Sequence, residues 1–260
     1  PEYEFDSSAY DRRIYYGFGK ADPSVELVMG PNITDWPKMY ALTENLLVKL
    51  AAVIHDPVTT TDELIPSGET SSYRSNPLRL AEFTLSRREP AYVGRAKEIA
   101  KLEGERRSGA VPAEIVETLN RVGNGAELAN NTQFGSCVFA NKPGDGSARE
   151  QAASCQKVLG GFANICYEYA TKRYRSNCIN WGILPFTIDD GTEFNYEPGD
   201  CVFVPGIRAA VENGTENIPA KVIRQNGDVC DIMLHLRGLT PDEKEIILDG
   251  CLMNYYAKRN

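Results

Sequence analysis

The sequence has no long apolar segment, few histidines and no closely spaced pair of cysteines. No window of its 260 residues approaches the run of about eighteen apolar residues that a membrane-spanning helix needs, so no such helix is expected. Only His55 and His235 are available for histidine-dependent chemistry, and neither lies in a recognisable motif. The absence of a C-x-x-C pair argues against zinc-ribbon and ferredoxin-type ligand sets.

Basic residues are also in the minority. The 28 lysines and arginines are outnumbered by 36 acidic residues, which gives a net charge of −8. We therefore expect no general nucleic-acid surface, because such a surface needs a basic patch to neutralise phosphates, although a small basic pocket for a carboxylate is compatible with this balance. The seven cysteines predict reduced, mostly buried thiols in a cytoplasmic protein. The chain starts at Pro1 rather than at a methionine, so we expect a fragment or a processed chain.

The apolar pattern predicts a mixed α/β layout after an irregular start. Residues 1–36 are rich in Tyr, Asp and Pro and show little periodicity, which is typical of an extended arm or an interdomain linker. Beyond residue 44, strand-length and helix-length patterns alternate with short connections. Strands are predicted at 46–54, 134–140, 162–167, 183–188 and 201–204, with a hairpin across 221–236 that turns at Asn226-Gly227. Helices are predicted at 77–83, 95–107, 113–121, 147–158 and 170–181, followed by two more that begin after Thr240.

The segment Gly144–Glu150 is the most informative one for chemistry. A glycine turn over residues 143–146 leads into the predicted helix, and a helix N-terminus suits an anion. Ser147 and Glu150 have the spacing of a capping box, and Arg149 offers a fork that matches a carboxylate. The alternative is a well-capped structural helix with a surface arginine.

A second segment combines Thr59-Thr60-Thr61-Asp62 with Arg74, twelve residues later. Clustered Thr and Asp side chains can simply hydrogen-bond the nearby backbone, so an ordinary turn is the plain interpretation. Nothing in the spacing shows that Asp62, Arg74 and Arg149 meet in space.

Several separated motifs, in order from about residue 44 to the C-terminus, resemble the aconitase family. The run at 146–153 is similar to the signature G-S-S-R-E-H-A-A, and Thr60-Thr61-Asp62 is similar to the motif T-T-D-H-I. Further similarity covers Leu159-Gly160-Gly161, the run 170–177, Asn180-Trp181-Gly182-Ile183-Leu184-Pro185-Phe186 and the C-terminal run 243–250.

The resemblance implies an aconitase-type swivelling β/β/α domain with a mixed sheet and flanking helices over residues 44–260, preceded by an arm or linker over residues 1–43. It implies part of a hydro-lyase of tricarboxylic acid metabolism that dehydrates and rehydrates a hydroxy di- or tricarboxylate such as citrate or isocitrate. Other, cluster-bearing N-terminal domains of the same protein would hold a [4Fe–4S] cluster. No metal ligand and no cofactor are expected in this chain, and the chain alone is expected to be inactive.

Carried over by position, Asp62 matches the active-site aspartate, while Arg74 and Arg149 match the arginines that bind substrate carboxylates. Ser147 matches the first serine of the signature, a substrate hydrogen-bond donor, and is a candidate catalytic residue. The second serine, which is the family's catalytic base, is replaced by Ala148, whose methyl group cannot accept a proton. Ala148 therefore keeps only its place in the substrate-binding loop.

Two more departures accompany Ala148. Glu63 and Gln151 stand where the family has histidines, a pattern similar to a divergent, aconitase-like hydratase branch. Three interpretations stay open: the base comes from Ser147, Ser71 or Ser72; the substrate needs another base; or catalysis has been lost. The last would leave a non-catalytic carboxylate-binding or regulatory module. A freestanding small subunit of a two-subunit isomerase is a further alternative.

Overall fold

The computed structural model describes residues 2–13 and 19–259, and backbone contacts divide the chain into the units 1–33 and 34–260. Helix α1 (Ser8–Arg13) is the one regular element described in the first unit. In the second unit, residues 34–44 contact the C-terminal part of the chain: the backbone N–H of Leu42 donates to the carbonyl of Leu248 (3.0 Å), and the amide of Asn254 donates to the carbonyl of Met39 (3.2 Å). The role of the first 43 residues as an arm or linker stays a prediction.

Seven strands form a closed barrel in the order β1-β3-β5-β6-β9-β8-β7, and two short strands form a separate pair, β2-β4. The bounds are β1 Asn45–Ile54, β2 Thr59–Thr60, β3 Thr132–Ala140, β4 Pro143–Asp145, β5 Gly161–Cys166, β6 Leu184–Thr187, β7 Cys201–Val204, β8 Asn217–Ile223 and β9 Val229–His235. Neighbours among β1, β3, β5 and β6 are parallel, whereas β7, β8 and β9 pair antiparallel. The predicted mixed α/β fold is confirmed. The closure of its sheet into a barrel was not predicted.

Helices connect and flank these strands. They are α2 Thr61–Leu64, α3 Pro77–Ala81, α4 Tyr92–Arg107, α5 Ala113–Leu119, α6 Gly125–Leu128, α7 Arg149–Val158, α8 Lys172–Asn180, α9 Ile207–Asn213, α10 Pro241–Asp249 and α11 Leu252–Ala257. Parallel strands need such crossovers, and α7 and α8 provide them before β5 and β6. Among the described residues, no helix is both long enough and apolar enough to cross a membrane.

The sequence of β1 is almost continuously apolar because both faces of this strand are buried. Leu46, Val48 and Leu50 face one core cluster together with residues of β7 and β8, while Leu47 and Ala51 face a second cluster under α3, α4 and α7. Alternate side chains of a strand point to opposite faces, so burial of both faces requires apolar residues at nearly every position. Each fully buried leucine contributes about 1.5–3 kcal/mol relative to an exposed one. The second cluster includes Ala152, Ala153 and Cys155, so it holds α7 against the barrel.

Candidate functional site

The short pair β2-β4 brings the two predicted site segments together. The strands are parallel, with Thr59 opposite Pro143 and Thr60 opposite Asp145, and the backbone N–H of Thr59 donates to the carbonyl of Lys142 (3.0 Å). The predicted turn over residues 143–146 is therefore corrected, because its first three residues form β4. The motif Thr60-Thr61-Asp62 consequently lies beside the glycine loop that precedes α7.

Two glycines make this close approach possible. A Cβ built on Gly146 would lie 2.1 Å from Oγ1 of Thr61, and a Cβ on Gly144 would lie 2.2 Å from the ring of Tyr174. Both glycines have positive φ, +134° and +99°, which side chains disfavour. The loop is thus fixed between α2 on one side and α8 on the other.

The first turn of α8 anchors the same loop. Oγ1 of Thr171 accepts from the backbone N–H of Tyr174 (3.2 Å) and donates to the carbonyl of Gly144 (3.1 Å). The hydroxyl of Tyr174 accepts hydrogen bonds from the amides of Gln156 (3.1 Å) and Asn164 (3.2 Å). Burial raises the pKa of the Tyr174 phenol well above its usual value, so this group acts as a neutral structural partner.

Asp62 lies on α2, which is held by a reciprocal cap. The backbone N–H of Thr60 donates to the Glu63 carboxylate (2.7 Å), and the backbone N–H of Glu63 donates to Oγ1 of Thr60 (3.2 Å). The Thr-x-x-Glu spacing is a sequence signal for this capping box, but it was missed. Glu63, which replaces a family histidine, thereby has a structural role.

The Asp62 carboxylate has a partner that the sequence analysis missed. Arg87 donates to it at 2.9 Å and to Glu69 at 2.5 Å. These contacts, first that with Glu69 and then that with Asp62, raise the pKa of the Arg87 guanidinium above its already high value. The side chain of Asp62 is 63% exposed, so its oxygens remain accessible from solvent. No sequence signal pointed to Arg87, because the pairing spans 25 residues without a periodic pattern.

The start of α7 differs from its prediction. The helix begins at Arg149, and Ala148 is the N-cap residue with no side-chain cap hydrogen bond. The predicted capping box of Ser147 and Glu150 is wrong, because Glu150 instead accepts from the indole N–H of Trp181 (2.9 Å). Ser147 is exposed, which leaves its hydroxyl at the mouth of the loop.

Arg149 is the most distinctive group of the site. The side chain is half-buried, and its Nε is buried without a hydrogen-bond partner among the described residues. A buried donor that lacks an acceptor is unfavourable by about 1–3 kcal/mol. This guanidinium, at the N-terminal end of an uncapped helix, is therefore suited to accept an anion.

Arg74 lies between α2 and α3 in the sequence, and its side chain is exposed. It follows a single 3₁₀ turn, Ser71–Tyr73, and precedes α3 by three residues. Because α2 and α3 both pack on α7, the stretches that carry Asp62 and Arg74 flank that helix. The close approach of Thr61 and Gly146 joins the segments of Asp62 and Ser147 directly, whereas no hydrogen bond or ion pair among the described residues joins the Arg74 side chain to them. The shared concave face for these residues stays a prediction.

The cysteines do not form a cluster-binding set. Among residues 2–13 and 19–259, no three His, Cys, Asp or Glu side chains converge in a way that could hold a metal ion. All seven thiols are free, and six are buried. Burial raises the pKa of Cys155 and Cys178 to about 12, and also raises the pKa of Cys137, Cys166 and Cys201, which disfavours the thiolate form that an iron–sulfur cluster needs. The described residues of this chain therefore do not fit a [4Fe–4S] cluster.

Comparison with known proteins gives related matches. The family model for the aconitase C-terminal domain matches residues 117–191, a range that contains Ser147 and Arg149 but neither Asp62 nor Arg74. Aconitate hydratase A of Bradyrhizobium diazoefficiens is 27% identical over 126 residues, which cover 47% of this chain and 14% of that protein. The 3-isopropylmalate dehydratase small subunit of Metallosphaera sedula is 30% identical over 133 residues, which cover 51% of this chain and 71% of that protein.

Among solved structures, a 3-isopropylmalate dehydratase from Methanocaldococcus jannaschii matches with a TM-score of 0.47 and 19% identity, covering 83% of this chain and 95% of that one.

Proposed function

The chain belongs to the C-terminal domain of the aconitase and isopropylmalate dehydratase superfamily, and we propose that it binds the substrate carboxylates of a hydro-lyase. The observation that carries this proposal is the Nε of Arg149 beside the glycine loop, which is buried and has no hydrogen-bond partner within the described part of the chain. A carboxylate can accept two parallel hydrogen bonds from a guanidinium, and the helix N-terminus adds favourable charge.

The proposed substrate is a hydroxy di- or tricarboxylate such as citrate or isocitrate. A substrate with several carboxylates needs more than one cationic group, and Arg74 is the second group that we propose for it. Ser147 would donate to the substrate from the exposed end of the loop, and the backbone at Ala148 would complete the cradle. Cluster-bearing domains outside the described residues would close over this face in a cytoplasmic enzyme of the tricarboxylic acid pathway.

The proposed catalytic residues are Asp62 and Ser147. The ion pair with Arg87 holds the Asp62 carboxylate in place, and a positioned carboxylate can move a proton to or from a substrate hydroxyl. The hydroxyl of Ser147 is a very weak acid, so it could remove a proton from carbon only if nearby N–H groups and Arg149 stabilised its oxyanion. We expect the chain alone to be inactive, because its described residues supply neither a cluster nor the opposite wall of a cleft.

A direct binding experiment tests the carboxylate site. We expect citrate or isocitrate to bind the 260-residue chain in isothermal titration calorimetry, and Arg149→Gln to weaken binding by tenfold or more, since a charged hydrogen bond contributes about 1.5–3 kcal/mol. Arg121→Gln removes an exposed arginine outside the site and is the matched control. Equal affinities of Arg149→Gln and Arg121→Gln for citrate would contradict the proposal.

A second candidate function, a non-catalytic carboxylate-binding or regulatory module, is favoured by Ala148. Its methyl group packs against the core and offers no proton acceptor. The test compares aconitate hydratase activity of the complete, cluster-reconstituted protein with that of its Ala148→Ser variant. Activity in the unmodified protein supports the enzyme with another base. Activity only in Ala148→Ser supports the binding module. Activity in neither protein points to that module or to a different substrate.

A further inference from the structure

A groove with a mostly apolar lining and several charged side chains lies at the opposite end of α7 from Arg149. We name it the Lys157 groove. Six of its thirteen lining residues matter for the argument: Lys38, Tyr40, Glu103, Arg107, Lys157 and Phe162. Its volume is about 270 Å³. Lys157 is eight residues after Arg149, about 12 Å along the helix axis at the usual rise per residue. None of the residues proposed above for the hydro-lyase site lines this groove.

Lys157 is buried in an unusual state for a lysine. Its exposed fraction is 5%, and no carboxylate of the described residues lies within 4.0 Å of its Nζ. The polar contact of Nζ is a long one, 3.4 Å to the carbonyl of Gly182, and the ring of Phe162 lies 4.9 Å away. An ammonium group has three donors, so this environment leaves it poorly satisfied. Buried lysines are rare unless they are paired.

The charged groups around Lys157 do not neutralise the positive charge of its ammonium. Glu103 is the one acidic residue that lines the groove, against the three cations Lys38, Arg107 and Lys157. The Glu103 carboxylate is already engaged by Arg106 at 2.7 Å and by Arg107 at 2.9 Å. It also accepts from the backbone N–H of Phe134 at 2.9 Å. The groove is therefore locally positive, although the chain as a whole carries a charge of −8.

Two aromatic rings shape the groove and limit its contact with water. The guanidinium of Arg107 lies over the ring of Tyr40, with 3.5 Å to the ring centroid. Stacking of this kind fixes the direction of the guanidinium donors. The Lys157 ammonium lies over the ring of Phe162, with 4.9 Å from Nζ to the ring centroid, and an apolar wall beside a charge strengthens its attraction for an opposite charge.

From this arrangement we propose that the Lys157 groove binds a small oxyanion, a carboxylate or a phosphate, between Lys157 and Arg107. The buried ammonium supplies a point charge. The half-buried guanidinium of Arg107, whose Nε faces Glu103 at 2.9 Å, supplies its terminal N–H donors. The volume of the groove lies near the lower limit of small-molecule pockets, which fits a compact anion rather than a nucleotide. This site is separate from the one at Arg149, so it can be occupied whether or not the chain takes part in a hydro-lyase.

The titration of Lys157 gives the proposal a signature. Burial, and to a smaller extent Arg107, lowers the pKa of the Lys157 ammonium to about 8, while Cys251 acts in the opposite direction. Glu103, Lys38 and Tyr40 are the other charged or titratable groups of the groove. A bound oxyanion favours the charged ammonium, so it should raise this pKa. The affinity of the groove for the oxyanion should therefore fall as the pH rises above about 8.

The test uses inorganic phosphate and malonate as separate probes, each titrated into the 260-residue chain by calorimetry at pH 7. We expect at least one of them to bind, and Lys157→Met to weaken it by tenfold or more, since a charged hydrogen bond contributes about 1.5–3 kcal/mol. Arg107→Gln should weaken it as well. The control Lys142→Gln removes an exposed lysine that pairs with Glu168 and should leave affinity unchanged. If phosphate binds and malonate does not, the groove takes a phosphate; if malonate binds and phosphate does not, it takes a carboxylate.

A second measurement avoids any dependence on folding of the variants. The lysine resonance with a pKa of about 8 is followed by NMR in the unmodified chain, with and without the active probe. A rise in that pKa on addition of phosphate or malonate supports the site. Binding of neither probe, or equal binding by Lys157→Met, overturns the proposal. An unchanged pKa under saturating probe does the same.

Discussion

The fit of Gly146 against α2 leads to a quantitative prediction. Gly146→Ala would place a Cβ 2.1 Å from Oγ1 and 3.3 Å from Cβ of Thr61. Thr61 is 2% exposed, so it has little room to move away. A side chain at positive φ is unfavourable by about 1–2 kcal/mol, and overpacking adds about 1–3 kcal/mol. We therefore expect the free energy of unfolding to fall by about 2–5 kcal/mol.

Two other glycines separate these contributions. Gly191 also has positive φ, +85°, but a Cβ there would meet no atom within 4 Å, so Gly191→Ala reports the backbone contribution alone. Gly68 has open space and no left-handed φ, so Gly68→Ala should be neutral or stabilising by up to about 1 kcal/mol. Urea unfolding followed by circular dichroism gives the three free energies on one scale. A loss in Gly146→Ala no larger than that in Gly191→Ala would refute the close approach to Thr61.

A double-mutant cycle tests the specific contact. Thr61→Ala removes the atom at 2.1 Å but keeps the Cβ at 3.3 Å, so it should relieve the clash only in part. The combined Gly146→Ala and Thr61→Ala variant should be more stable than the sum of the single losses predicts, by about 1 kcal/mol or more. Strict additivity would show that the glycine loop and α2 do not touch in solution.

Substitutions at three further positions test other parts of the structure, each by urea unfolding. Thr60→Ala removes the α2 cap and should cost about 1 kcal/mol, whereas Thr60→Ser should retain most of it. Glu103→Gln leaves the nearly buried guanidinium of Arg106 without an anion and should cost about 3 kcal/mol; a loss under 1 kcal/mol would contradict the buried pairing. Because the pKa of Lys157 is lowered in the folded chain, the unfolded chain binds more protons than the folded chain above pH 8. The free energy of unfolding of the unmodified chain, relative to that of Lys157→Met, should therefore rise by about 2–3 kcal/mol between pH 7 and pH 10. A pH-independent difference would argue against a desolvated ammonium.

Local signals in the sequence predicted much of the fold. The apolar run at 46–54 is β1, the Asn226-Gly227 turn joins β8 to β9, and Thr240 caps α10 through a box with Glu243. These features depend on residues that are close together in the chain, where periodicity and capping chemistry are decisive. Such signals therefore identified elements without saying how the sheet would close.

Contacts between distant segments could not be predicted in the same way. The pair β2-β4 joins strands of two and three residues, too short to show a period, and the barrel closes through a single pair of residues, Thr187 and His235. Glu150 accepts a hydrogen bond from Trp181 instead of capping α7, and this contact exists only because α8 ends just before Trp181. Tertiary packing decides such contacts, so the resemblance of separated motifs, rather than any local pattern, was what associated Asp62 with Arg149.

The departures from the family signature replace one serine and two histidines, and the structure gives two of the replacing residues other roles. Glu63 completes the cap of α2, and Ala148 packs on the core with a ψ of 42°, far from the extended backbone of a usual N-cap. By contrast, Arg149 keeps a buried donor that finds no partner in residues 2–13 and 19–259, and the exposed Asp62 carboxylate is paired with Arg87. Carboxylate binding therefore has stronger support in these residues than proton transfer. Because the ψ of Ala148 does not favour a cap, a gain of activity in Ala148→Ser would reflect the added hydroxyl rather than a more stable helix.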